Sequence, residues 1–141
     1  MYRVLLALDA DEDRAEQAAT AVAKLPCSDE AVEVVILNVF EKFEVTEDVT
    51  VRSDQFYDAE EFPESVDLAA TQLTEADVSV TKRREHGDPA ETIVEVANEL
   101  EADCIAMSGR QRSPTGKVIF GSTTQSVLLS AARPVHVVIE D

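Results

Sequence analysis

Five short strand-like runs, four of them apolar and one alternating, each followed or preceded by a stretch whose apolar residues recur at helical spacing, constrain this 141-residue chain more than any other feature. The runs lie at 4–8, 32–40, 78–84, 104–107 and 135–139. A continuous run such as Val4-Leu5-Leu6-Ala7-Leu8 is what a strand buried on both faces of a parallel sheet requires. Between the runs, Ala15, Ala18, Ala19, Val22 and Leu25 mark the inner face of a helix from about Asp11 to Leu25, which Pro26 stops. Val66, Leu68, Ala69, Ala70, Leu73 and Ala76 mark a second helix, opening after Pro63, and Ile93, Val94, Val96, Ala97 and Leu100 a third. Asp88 suits the cap of that third helix and Pro89 its first turn. The last helix runs from Ser122 to about Ala132, and Ser122 with Gln125 has the Ser-x-x-Gln spacing of a capping box. In the third run Val78 and Val80 alternate with polar residues, which puts that strand at or near an edge. Five strands alternating with four helices predict an α/β fold: a doubly wound, five-stranded parallel sheet with helices on both faces and right-handed crossovers.

The length fits one domain spanning residues 1–141. Within it, residues 41–63 are acidic, carry scattered aromatics and show no period, the pattern of a surface excursion. No apolar run is long enough to span a membrane and the N-terminus moves straight into a strand, so a soluble cytoplasmic protein is expected. Cys27 and Cys104 read as reduced thiols. Against 29 acidic residues stand 12 basic ones, a net charge of −17. That balance argues against nucleic acid as a partner, because a phosphate backbone needs a broad basic face. It suits molar salt, where the Debye length falls to about 3 Å and repulsion between carboxylates is screened. A protein from a salt-accumulating organism is therefore expected, one whose melting temperature rises with salt.

The charge is not evenly spread. Cys104 to Ile139 contains no Asp or Glu, and Arg110, Arg112, Lys117 and Arg133 give it +4, leaving −21 on the remainder. Such an island draws anions locally. Within it a strand leads through a Gly-containing loop to Gly121-Ser122 at the start of the last helix. The first N–H groups of that helix, on Ser122, Thr123 and Thr124, have no partner within it and suit a phosphate. In a doubly wound sheet the residues after strands one, two and four (Asp9, Val39 to Glu41, and Met107 to Arg112) lie at the same carboxyl edge, where ligands collect. Asp9 has a second reading, as the cap of the turn into the first helix.

Several chemistries are excluded. Gly109 and Gly116-Lys117 are separated by six residues where a P-loop has four, and Val118 stands in its Ser/Thr position. No G-x-G-x-x-G follows the first strand. The acidic group Asp9, Asp11, Glu12 and Asp13 would suit the metal pocket of a receiver domain, but Arg83 to Glu85 and Glu140 stand where that pocket needs its Asp and Lys. His86, read as lying in a turn, and His136, on the last strand, have no nucleophile nearby, and no Ser/His/Asp triad is discernible. An enzyme is therefore not expected, with slow hydrolysis at most.

Nearly the whole chain resembles a single-domain universal stress protein. The resemblance rests on the strand ending Ala-Leu-Asp9, on Gly87-Asp88-Pro89-Ala90-Glu91, on the loop closing at Gly121-Ser122, and on Arg133-Pro134-Val135. The ATP-binding branch of that family carries G-x2-G-x9-G-[S/T]. Counted back from Gly121, its first two glycine positions fall here on Ser108 and Gln111, with Gly109 one residue late and Arg112 three beyond it. The resemblance implies a Rossmann-like, adenine nucleotide alpha hydrolase-like fold that binds ATP or a related adenine nucleotide, with magnesium as an optional companion. Asp9 would lie beside the ribose or metal, and Val39 would offer backbone groups to the adenine edge. Met107, Ser108 and Gly109 would skirt the ribose, and Gly121, Ser122 and Thr123 would hold the phosphates. Arg112 would either grip a phosphate oxygen or fill the space a glycine leaves. The resemblance also implies a homodimer through Val135 to Ile139, a short apolar strand whose edge needs cover. An alternative of another class is a ligand-free interaction module of the same fold.

Overall fold

A computed structural model describes residues 1–41, 62–109 and 120–139 of the chain. Its elements in order are β1 (Tyr2–Ala7), α1 (Glu12–Ala23), α2 (Ser28–Ala31), β2 (Val32–Glu41), α3 (Glu64–Glu75), β3 (Ser79–Gly87), α4 (Pro89–Glu99), β4 (Cys104–Ser108), α5 (Ser122–Ser130) and β5 (Val135–Val138). All five strands are parallel, in the order β3-β2-β1-β4-β5. The doubly wound sheet is as expected, with β3 at one edge and β5 at the other.

The alternation of side chains along a strand assigns each to a face. Val4, Leu6 and Leu8 of β1 and its extension pack with Ile36 of β2 and with Ala15, Ala18, Ala19 and Val22 of α1, and Val66, Ala69 and Leu73 of α3 join them. Leu5 and Ala7 face the other way, with Leu37, Ile105 and Met107, against Ile93, Val96 and Ala97 of α4 and Val127 of α5. Leu5 and Leu6 are both completely buried, which is why β1 has no polar alternation. Replacing either with Ala would cost about 2–5 kcal/mol through lost transfer energy and the cavity left behind.

Three local readings need correction. The first helix ends at Ala23 with Lys24 as its C-cap, short of Leu25. Cys27 then turns left-handed (φ 56°) and starts the short α2, which no periodic signal announced. His86 is not in a turn, because β3 runs through Gly87. Gly87 itself holds φ 142°, a conformation that favours glycine, and this is where the chain swings from β3 into α4. The last helix ends at Ser130 rather than Ala132. The acidic excursion lies, except for Glu41 at the end of β2 and Phe62-Pro63, outside the described residues, as does Arg112.

Winding sets the position of the site. From β1 the chain moves outward through β2 to β3, with α1 and α3 on one face. It then returns across the sheet through α4 to β4 and moves outward the other way through α5 to β5. The reversal falls between β1 and β4, so their carboxyl ends open a crevice that no crossover covers.

Candidate functional site

The crevice contains a cavity of about 280 Å³. Its lining includes Leu8 and Asp9 after β1, Val39 of β2, Met107 and Ser108 of β4, Pro89 and Ile93 of α4, and Thr123 and Thr124 of α5. Five residues expected at a site are thus brought together: Asp9, Val39, Met107, Ser108 and Thr123. The lining combines apolar side chains (Val39, Ile93, Met107) with hydroxyl-bearing residues (Ser108, Thr123, Thr124), the mixture usual in sites for amphipathic small molecules.

Among the described residues, the other expected ones, Gly109, Gly121 and Ser122, are not part of that lining. Gly109 is buried, and its N–H donates to the carbonyl of Val138 (2.8 Å). A Cβ added there would meet Cγ1 of Val137 at 3.0 Å, so glycine serves the approach of β5 to the end of β4. Gly121 is the N-cap of α5. Ser122 lines an adjoining surface groove with Thr123, Asp88 and Glu91. The expected capping box is absent: Gly121 holds the extended cap position (φ −68°, ψ 161°), Ser122 is the first helical residue, and no side chain caps the helix. A side chain at the first helical position is already past the place from which it can reach the N3 amide.

Electrostatically, the start of α5 differs from that of the other long helices. Glu12 and Asp13 stand in the first turn of α1, Glu64 and Asp67 in that of α3, and Glu91 in that of α4, whereas α5 has no acid there. The positive end of its dipole is therefore not compensated by any acid of its own first turn, although Asp88 and Glu91 of α4's start lie across the adjoining groove.

Asp11 is the N-cap of α1, accepting from the N–H of Arg14 (2.9 Å), and Asp9 caps the turn that leads into it. The Asp9 carboxylate is held in place: Oδ1 accepts from the N–H of Asp11 (2.9 Å) and Oδ2 from Nη2 of Arg14 (2.9 Å). Arg14 thus offsets the one carboxylate among the described residues that line the cavity. Among the described residues no cluster of three or more His, Cys, Asp and Glu could hold a metal ion. Cys104 is buried in β4 and burial pushes its thiol pKa up, which leaves it a packing residue. No helix among the described residues is long and apolar enough to cross a membrane.

Sequence reasoning missed Arg14, Asn38, Ser65 and the Thr124 side chain. Asn38 carried a usable signal, a lone amide inside the apolar run of β2. Ser65 carried none, because serine in a helix's first turn is ordinary.

Fold and crevice together define a doubly wound α/β protein with a small-molecule cavity at the carboxyl ends of its central strands. Residues 1–138 match the model of the universal stress protein family, and the chain belongs to that family. A curated relative, the stress response protein NhaX of Bacillus subtilis, is 40% identical over 52 residues, which are 37% of this chain and 31% of that protein. The same fold occurs in the universal stress protein of Archaeoglobus fulgidus in complex with dAMP (TM-score 0.69, 18% identity, 98% of each chain covered). It occurs too in an Arabidopsis thaliana universal stress protein family protein with AMP bound (TM-score 0.68, 12% identity, 100% of this chain and 93% of that one).

Proposed function

We propose that this protein is a regulatory module of the stress response that binds ATP or a related adenine nucleotide in the crevice between β1 and β4. One observation carries the reading: the long helix whose start has neither a side-chain cap nor an acid opens onto the cavity that Asp9, Val39 and Met107 share. The adenine rests against the apolar lining residues Val39, Ile93 and Met107, with the backbone of Val39 at its edge. The ribose lies by Asp9 and Met107 to Gly109, and the phosphates sit at Gly121, Ser122 and Thr123, where N–H groups and the helix dipole favour negative charge. Arg112, from the basic loop, adds a charge-assisted grip on a phosphate oxygen. The binding of dAMP and AMP by the two similar structures supports the choice of an adenine nucleotide.

The cavity is just below the lower end, about 300 Å³, of ordinary small-molecule sites. A nucleoside fills it, and the phosphates run outward toward Ser122. The protein acts as a homodimer through the free edge of β5, which among the described residues pairs only with β4 and contains no Asp, Glu, Lys or Arg. Calorimetry with AMP, ATP and cyclic AMP in molar salt tests the ligand. Saturable heat with one nucleotide per chain is expected, and its absence with all three would end the proposal. Light scattering tests the dimer, which a monomer at micromolar concentration would refute.

A further inference from the structure

Three polar side chains are buried among the described residues: Asn38, Ser65 and Thr124. They come from β2, α3 and α5, yet all three do the same thing. Asn38 Nδ2 donates to the carbonyl of Leu8 (3.0 Å), Ser65 Oγ to that of Asp9 (2.6 Å), and Thr124 Oγ1 to that of Ser108 (3.2 Å). Each acceptor belongs to the cavity lining. A buried hydroxyl or amide is costly unless bonded, and bonding requirements alone would be met anywhere in the core. Here all three donors meet at the carboxyl edge, on the two strand ends that flank the crevice.

We infer that Asn38, Ser65 and Thr124 are positioning residues for the nucleotide site, an inference that rests on the binding proposed above. Asn38 and Ser65 hold two successive carbonyls and so fix the turn that carries Asp9. Arg14 and the N–H of Asp11 then fix its carboxylate. Thr124 ties the start of α5 to the end of β4, which sets the distance between the N–H groups of Ser122 and Thr123 and the ribose position. The three donors also occupy carbonyl lone pairs that would repel a nucleotide's anionic groups. Such advance ordering lowers the reorganisation needed when ligand arrives.

The test uses the full chain with AMP in calorimetry. Thr124→Val keeps the shape and removes the donor, whereas Thr124→Ser keeps the donor. Ser65→Ala and Asn38→Leu remove the other two. Val78→Ala, in the core at the amino end of β3, is a destabilised control. Each donor loss is expected to weaken AMP binding about fivefold, the equivalent of one hydrogen bond. Thr124→Ser and Val78→Ala should bind as the unaltered protein does. If Thr124→Val and Ser65→Ala bind AMP normally, or if Val78→Ala weakens it equally, the positioning role is wrong while the nucleotide site stands. If the unaltered chain binds no adenine nucleotide, the site and this inference fall together. Should Asn38→Leu fail to fold, the Val and Ser variants of Thr124 decide between the outcomes.

Discussion

The starts of α4 and α5 line the same cavity and have nearly the same cap backbone, yet their chemistry is opposite. Asp88 before α4 (φ −72°, ψ 124°) and Gly121 before α5 (φ −68°, ψ 161°) are both extended. Asp88 turns its carboxylate back onto the N–H of Glu91 (3.0 Å), and Glu91 adds an acid to the first turn. The N-terminal dipole of α4 is answered by its own side chains; that of α5 is left open. Since the backbones match, the difference is a matter of side chains alone, and single substitutions can move it in either direction.

The largest effect is expected from Gly121→Asp, which makes α5 resemble α4. A carboxylate where phosphates should sit places like charges together, a cost of several kcal/mol, so affinity for AMP should fall at least roughly a hundredfold. Stability should stay within about 0.5 kcal/mol, because glycine and aspartate are both accepted caps. Calorimetry paired with urea unfolding would show both. Retained affinity would mean that the phosphates lie elsewhere.

The converse change is Asp88→Ala. It removes the cap of α4 and should cost about 1 kcal/mol in urea unfolding, while AMP affinity holds or improves. A drop in affinity larger than the drop in stability explains would show that the two helix starts do not divide their roles in this way. Glu91→Gln is milder. It removes a favourable charge–dipole contact and should lower stability by about 0.3–1 kcal/mol.

Ser122→Ala has the smallest expected effect. The capping-box spacing would make it cost about 1 kcal/mol, but with Gly121 as cap the change should be nearly silent in urea unfolding. A full loss would put the cap back on Ser122.

The same pair shows what could be read before the fold was known. Asp88-Pro89 was legible because each residue acts locally: one side chain reaches three residues on, and one ring fixes a single φ. Ser122 misled because Ser-x-x-Gln gives a spacing without a phase, and a preceding glycine can take the cap one residue early. The strands were plain, since Val4 to Leu8 is buried on both faces and permits no polar residue. The gathering of Asp9, Val39, Met107, Ser108 and Thr123 followed from topology, as strand ends in a doubly wound sheet have only one edge to share. The supports under that edge were not legible. Arg14 reaches back five residues to Asp9 and Ser65 reaches across 56, contacts set by how α1 and α3 dock rather than by any local pattern.

The most direct test of the account is a titration of the protein with AMP followed by amide NMR at the two helix starts. The signals of Ser122, Thr123 and Thr124 should move saturably, and those of Ala90, Glu91 and Thr92 should move much less. If saturating nucleotide leaves the α5 amides unmoved, or shifts both sets alike, the open start of α5 is not where the anion binds.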